Sequence, residues 1–170
     1  MRNLYNTKGV STVRNLWILI VLIGSIVKGN ILHVSTTGDD ESGDGSVNNP
    51  YLTIQKGIDE ASSTDTVLVL NGIWQGGVTI DNKQITLMGE SMTDTKLNIA
   101  ITEPNIAIVN NSDTVRVENL KIKRGNAELG GSALNVSNSL VVAKNLDLSN
   151  NTGLHGGAIR LNNQKCFKRF

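Results

Sequence analysis

The feature that most constrains this chain is a stretch that occurs twice. VRVENLKI, from Val115 to Ile122, returns as VVAKNLDL, from Val141 to Leu148, 26 positions further on. Val115, Val117, Asn119, Leu120 and Ile122 fall on Val141, Ala143, Asn145, Leu146 and Leu148 without a gap, and Gly130-Gly131 falls on Gly156-Gly157 in the same register. After that pair the second copy is one residue shorter, Gly-Gly-Ser-Ala-Leu becoming Gly-Gly-Ala-Ile. A period between about 20 and 50 residues marks a solenoid, in which one repeat cannot bury its apolar side alone and stacks on the next.

Each copy places an asparagine between two apolar pairs, Val-x-Val or Val-x-Ala before it and Leu-x-Ile or Leu-x-Leu after. The inward parity changes across Asn119 and Asn145, so the chain must bend sharply within one residue. Asparagine tolerates the left-handed backbone such a bend requires. Stacked one repeat apart, the two amides can hydrogen-bond as a ladder that satisfies groups buried at the corner. Further apolar runs at 67–70, 78–80, 85–88, 97–101, 106–109, 133–136 and 158–161 are separated by Asn, Asp and Gly at uneven spacing. Hairpins would show two-residue turns between alternating strands. A coil of three short strands fits about 26 residues better.

Low aromatic content, 4%, beside 17 glycines suits such a coil, whose narrow core is filled by Val, Ile and Leu. The formal charge of +1 hides an asymmetry. Arg2, Lys8, Arg14 and Lys28 precede Asn30 with no acid among them, and from Asn30 onward 12 basic residues face 15 acidic ones. A mildly acidic body argues against a nucleic-acid partner, which needs a basic surface. Three of those basic residues precede the uncharged run Leu16 to Val27, and small residues follow around Gly29, the pattern of a secretory signal peptide over 1–29. The run is too short to span a bilayer, so the signal, if uncleaved, is the chain's one expected membrane contact. Cys166 stands alone, which excludes an internal disulfide and leaves stability to stacking.

Residues 30–66 read as an N-terminal cap. Ile31, His33 and Ser35 alternate with Leu32 and Val34 as in a short strand, and the polar run Thr36 to Asn49 reads as a loop. Asp39, Asp40, Glu41 and Asp44 crowd it; they are either a calcium site of oxygen ligands or a solvated acidic loop, and they lack EF-hand spacing. Thr53 then caps a short helix whose Ile54, Ile58 and Ala61 share one face, and Gly57 weakens it so that packing must hold it.

The block from His33 to Trp74, followed by GVTIDNKQITLMGE, resembles the opening of right-handed parallel β-helix proteins of the pectin-lyase-like superfamily. The resemblance implies an all-β parallel solenoid with a short capping helix. LSNNTGLHGGAI resembles the repeat of the polymorphic outer-membrane proteins, which pairs F-x-x-N with G-G-A and an aliphatic residue. Leu148 stands at the phenylalanine position, Asn151 matches the asparagine, and Gly156, Gly157, Ala158 and Ile159 match the second motif. The first copy departs, with Gly130-Gly131-Ser132-Ala133 and no F-x-x-N. The repeat implies a surface-displayed adhesive passenger whose partners are glycans or cell-surface proteins. The superfamily also implies an alternative, a divergent or inactive polysaccharide lyase or glycoside hydrolase.

The residues favour the module over the enzyme. Superfamily lyases hold calcium with aspartates and hydrolases use paired carboxylates, but here Asp147 falls opposite Lys121 and Glu118 opposite Lys144, an arrangement of stacked ion pairs. No catalytic, cofactor or metal residue is assigned. Arg116, Lys121, Lys123 and Arg124 form either a stripe that binds sugar acids or a solvated face. His155 occupies the place of Leu129 in the other copy, which points to a loop or packing role. Trp74 either stacks on a sugar or covers the end of the first coil. Asn110, Asn135 and Asn150 begin N-x-S/T sequons. The body of coils is expected over 67–161 and an irregular tail over 162–170, as in a truncated member. The alternative is a short member whose Phe167 and Phe170 plug the open end.

Overall fold

A computed structural model describes residues 28–99, 107–124, 133–151, 158–163 and 166–169. Strand β1 (Ile31–Val34) is followed by the helix α1 (Ile54–Glu60) and then by short strands: β2 (Thr66–Val69), β3 (Gly72–Gln75), β4 (Val78–Asp81), β5 (Thr86–Gly89), β6 (Thr95–Ile99) and β7 (Ala107–Asn110). The later elements are β8 (Thr114–Arg124), β9 (Leu134–Ser137), β10 (Leu140–Asp147), β11 (Ile159–Asn162) and β12 (Cys166–Arg169). Every pairing between these strands is parallel and joins residues a whole coil apart. Three faces result. The first runs β1-β2-β5-β8-β10-β12, the second β3-β6-β8-β10, with β8 and β10 bending from one face to the other, and the third β4-β7-β9-β11. The described residues form a parallel β-helix of four three-faced coils, with β1 before them and β12 after.

The core is the set of inward side chains of stacked coils. Val67, Leu87, Val117 and Ala143 form one column, Trp74, Leu97 and Ile122 another, and Ile80, Val109 and Val136 a third; all are buried. β-branched residues dominate because each strand is short and its inward side chains must meet both the coil above and the coil below. The first-face column advances by unequal steps, shortest from Val67 to Leu87, longest from Leu87 to Val117, and intermediate from Val117 to Ala143. The repeat legible in the sequence therefore belongs to part of the stack, and turns absorb the rest.

Helix α1 covers the start of the stack. Thr53 Oγ1 accepts from Lys56 N at 3.2 Å, and Ile54, Ile58 and Ala61 are buried against the first coil. Gly57 is more than a weak helix former. A Cβ there would lie 2.7 Å from Val34 Cγ2 and 3.0 Å from Val67 Cγ1, so glycine is what allows the helix to seat on β1 and β2. At the other end of the helix, Lys83 Nζ donates to Ile58 O, Asp59 O and Ala61 O at 2.7, 2.6 and 3.0 Å. A cation on the last carbonyls satisfies orphan acceptors and complements the helix dipole.

Two expectations are corrected. Strand β3 (Gly72–Gln75) falls between the expected apolar runs at 67–70 and 78–80, where no strand was expected, because Ile73 and Gln75 face solvent and leave Trp74 as its buried side chain. The tail expected to be irregular over 162–170 carries β12, whose Cys166 to Arg169 backbone pairs in parallel with Leu140 to Ala143. Strand formation there is dictated by the edge of β10, not by the segment's own pattern. The apolar run 16–27 lies outside the described residues, and no helix among those described is long and apolar enough to cross a membrane.

Replacing Lys83 with Met keeps the stem and removes the donor to three carbonyls. Stability should fall by about 1.5–3 kcal/mol, the net range for hydrogen bonds to a charged group. A chemical-denaturation midpoint unchanged from wild type would show that the cap contributes nothing.

Candidate functional site

The corners are the best-defined side-chain arrangement. Asn119 and Asn145 have φ of 55° and 51°, and Asn145 Nδ2 donates to Asn119 Oδ1 at 3.1 Å. Each bend turns β8 and β10 from the first face to the second, with Val117 and Leu120 both buried on either side of Asn119. The amides are not buried as expected; Asn145 is exposed. Its requirement is therefore the left-handed backbone more than the amide. In the coil below, Gly89 sits under this corner, where a Cβ would come 2.2 Å from Asn119 O.

A second ladder escaped the sequence reading. Asn82, Asn111, Asn138 and Asn163 all have φ between 48° and 53° and turn the chain from the third face to the next coil. The backbone N–H of Asn82, Asn111 and Asn138 donates to Asn110 O, Ser137 O and Asn162 O of the following coil. Asn138 Nδ2 reaches Asn111 Oδ1 at 3.3 Å, and Asn111 Nδ2 reaches Asp81 Oδ1 at 3.2 Å. Inside this corner Ser112 N donates to Ser139 Oγ at 2.9 Å, which explains two fully buried serines. Their signal was Asn-Ser at 111–112 and 138–139, but the four asparagines recur at unequal intervals that conceal them from a fixed period.

Of the motif residues, Asn151 is held in place. Its Nδ2 donates to Ile122 O at 2.9 Å, one coil back, and to Leu148 O at 2.6 Å, so it staples neighbouring coils. Its Oδ1 is buried with no partner among the described residues. Ile159 begins β11 and packs on the core, and Ala158 precedes it. Gly130, Gly131, Gly156, Gly157, Leu129 and His155 lie outside the described residues.

The acidic loop is built of turns. Asp39 accepts from Glu41 N and from the amide and hydroxyl of Ser42, which hold its carboxyl below the usual range. Asp40 is pushed up by burial, but hydrogen bonds from the Thr53 hydroxyl, Thr53 N and Leu52 N and the charge of Lys56 outweigh this and leave it lowered. It thereby ties the loop to the start of α1. Asp44 is lowered by Ser46. These carboxylates are occupied by N–H and O–H donors, which compete with any cation. Among the described residues no group of three His, Cys, Asp or Glu is placed to hold a metal ion.

The basic stripe divides. Arg116 stands on the first face, beyond the Asn119 bend, whereas Lys121 and Lys123 lie on the second. There Lys96 is in register with Lys121, and Asn98 with Lys123, on adjacent coils. Arg124 pairs in register with Ile99. Lys121 forms an ion pair with Asp147 of the next coil, while Glu118 and Lys144 face each other in register without closing one. Asp147 is held well below the usual carboxylate range, first by the Lys121 hydrogen bond and then by Ser149.

Beside the second face lies a groove of about 380 Å³ between the first coil and the start of α1, lined by Thr36, Leu52, Thr53, Ile73, Trp74 and Gln75. Trp74 is 6% exposed, and its Nε1 donates to Leu70 O at 3.0 Å, so the indole is a wall of the first coil and its N–H is already used.

Two substitutions probe these corners. Asn145→Leu should cost about 1–2 kcal/mol, the penalty of a left-handed backbone for a side chain that cannot bond locally, whereas Asn145→Gly should retain most of the stability. Thermal unfolding of the leucine variant equal to wild type would mean the corner is misplaced. Asp147→Asn should cost about 0.5–1 kcal/mol at neutral pH, a modest value because both partners of the pair are about a quarter exposed. Its folded pKa is depressed, so the stabilisation is present above the unfolded value of about 4 and fades as pH falls below it. The gap between variant and wild type should therefore narrow in acid. A gap constant from neutral to strongly acidic pH would exclude a role for the charge.

No protein-family model and no curated protein matches the sequence. Among solved structures, a pectin methylesterase variant crystallised with a hexasaccharide is similar at a TM-score of 0.59 and 15% identity, over 77% of this chain and 47% of that one. This chain thus spans about half the length of that enzyme. At this identity the likeness speaks for architecture alone, and with the all-parallel three-faced stack it identifies the fold as a right-handed parallel β-helix.

Proposed function

We propose that the chain is a secreted or cell-surface β-helix module with a structural or adhesive role, which contacts acidic glycans through the second face. The observation that carries this is how the carboxylates are spent. Asp39, Asp40, Asp44, Asp65, Asp81 and Asp147 each accept hydrogen bonds that shape turns, corners or coil contacts. Carboxylates so engaged support the fold and are poor acids, bases or nucleophiles. On the second face, by contrast, Lys96, Lys121 and Lys123 project from adjacent coils against one acid, Asp147, in a body that is otherwise mildly acidic. Lys96 and Lys121 stand in register on adjacent coils, about 4.8 Å apart, and Lys123 follows two residues along the same strand, a cluster of cations that suits a chain of repeating anionic sugars.

Secretion rests on the signal-like segment at 1–29, and surface display on the resemblance of Leu148-x-x-Asn151 and Gly156-Gly157-Ala158-Ile159 to the F-x-x-N and G-G-A repeat. A second reading, a divergent carbohydrate-active enzyme, is supported by the likeness to a pectin methylesterase whose crystal held a hexasaccharide. Binding and turnover by the full chain separate the two. On immobilised polygalacturonate the account expects retention that weakens with salt, loss of about tenfold or more in affinity for Lys96→Glu with Lys123→Glu, and no release of methanol or of unsaturated or reducing ends from pectin. Turnover by the full chain would favour the enzyme, and binding indifferent to both lysines would remove the second face from the account.

A further inference from the structure

The first coil must end three parallel sheets, and it treats the three edges differently. On the first face β1 continues the sheet, with Ile31 to Val34 in register with Thr66 to Val69. On the third face the side chain of Gln55 takes the place of a strand. Its Oε1 accepts from Thr79 N at 2.8 Å and its Nε2 donates to Thr79 O at 3.1 Å, closing the edge of β4 with both halves of one amide. On the second face β3 pairs with β6 alone. Gly72 N donates to Asp94 O, which sets the sides of the strand: Gly72 and Trp74 turn their backbone groups toward β6, and Ile73 and Gln75 turn theirs away. Ile73 and Gln75 are both exposed and have no hydrogen-bond partner on that side among the described residues.

We propose that this edge is a strand-addition site for an extended peptide segment of a partner protein. The chemistry is set by the backbone: two N–H and two C=O groups on alternate residues of β3 match the main chain of a strand. The added strand would continue the same inter-coil interface that joins β3 to β6 and β6 to β8. The groove supplies the side-chain contacts. Leu52, 42% exposed, and Ile73, 58% exposed, flank it, with the Trp74 wall behind. An occupant with β-branched or other apolar residues at alternate positions places one row on the inward side with Trp74 and the other on the outward side beside Ile73. This site is independent of the lysines of the second face.

The test uses the full chain and a fluorescent hexapeptide of alternating Thr and Val with a Lys at each end, followed by anisotropy. Ile73→Pro deletes one free N–H and crowds the edge while leaving every bond of the β3–β6 ladder intact, so affinity should fall by about tenfold or more. Ile73→Thr should bind as wild type. The same peptide with N-methyl groups on alternate residues should fail to bind wild type, an arm that does not depend on any variant folding. Equal binding by Ile73→Pro, equal binding of the N-methylated peptide, or no binding at millimolar peptide overturns the proposal. So does concentration-dependent dimerisation abolished by Ile73→Pro, which would give the edge to a second copy of this chain.

Discussion

Every strand among the described residues makes its backbone hydrogen bonds with a strand one coil away, and the rest of the structure depends on that constraint. So short a strand cannot stand alone, and among the described residues none has an antiparallel neighbour in sequence to lean on. The chain must therefore return to the same three corners on every circuit, whatever the length of what lies between. The unequal steps along the first face, Val67 to Leu87, Leu87 to Val117 and Val117 to Ala143, show that coil length is free while corner position is not.

Asparagine is how the corners are held. Seven of the eight non-glycine residues with positive φ among those described are asparagines, and four of them, Asn119 with Asn145 and Asn111 with Asn138, bond amide to amide between coils. A side chain that accepts the left-handed backbone and then bonds its counterpart one coil away links local conformation to register. The carboxylates do comparable work nearer the start. Asp65 joins Asn30 N to Ser62 N, at 2.7 and 2.8 Å, and Asp40 joins the loop to α1, so the cap and the first coil are knit before stacking begins. Function on such a scaffold belongs to whatever the outward rows and the unclosed edges present, since the inward rows are committed to the core.

How much of this was legible depended on whether a residue's role showed in its spacing. The first-face corners were legible because Val-x-Val, Asn, Leu-x-Ile changes inward parity at Asn119, and the matching run does so again at Asn145, one repeat later. The second ladder was not, since Asn82, Asn111, Asn138 and Asn163 recur at unequal intervals. Helix α1 was readable from Thr53 and the Ile54, Ile58, Ala61 face, but the packing reason for Gly57 and the reach of Lys83 to the helix end needed the neighbouring coil. Strand β3 hid because solvent-facing Ile73 breaks the apolar-in pattern, and β12 because its strand character comes from the β10 edge it meets. The acidic loop, read as calcium-binding or solvated, consists of aspartates that each capture amides a short step further on, or in Asp40 the start of the helix.

The most direct test of the account is the set of cross-coil contacts seen by nuclear Overhauser effects in the labelled full chain. Parallel stacking predicts contacts between Val117 and Ala143, between Leu120 and Leu146, and between Leu87 and Val117, each pair one coil apart. Antiparallel contacts between strands adjacent in sequence, such as β4 with β5 or β9 with β10, would contradict it.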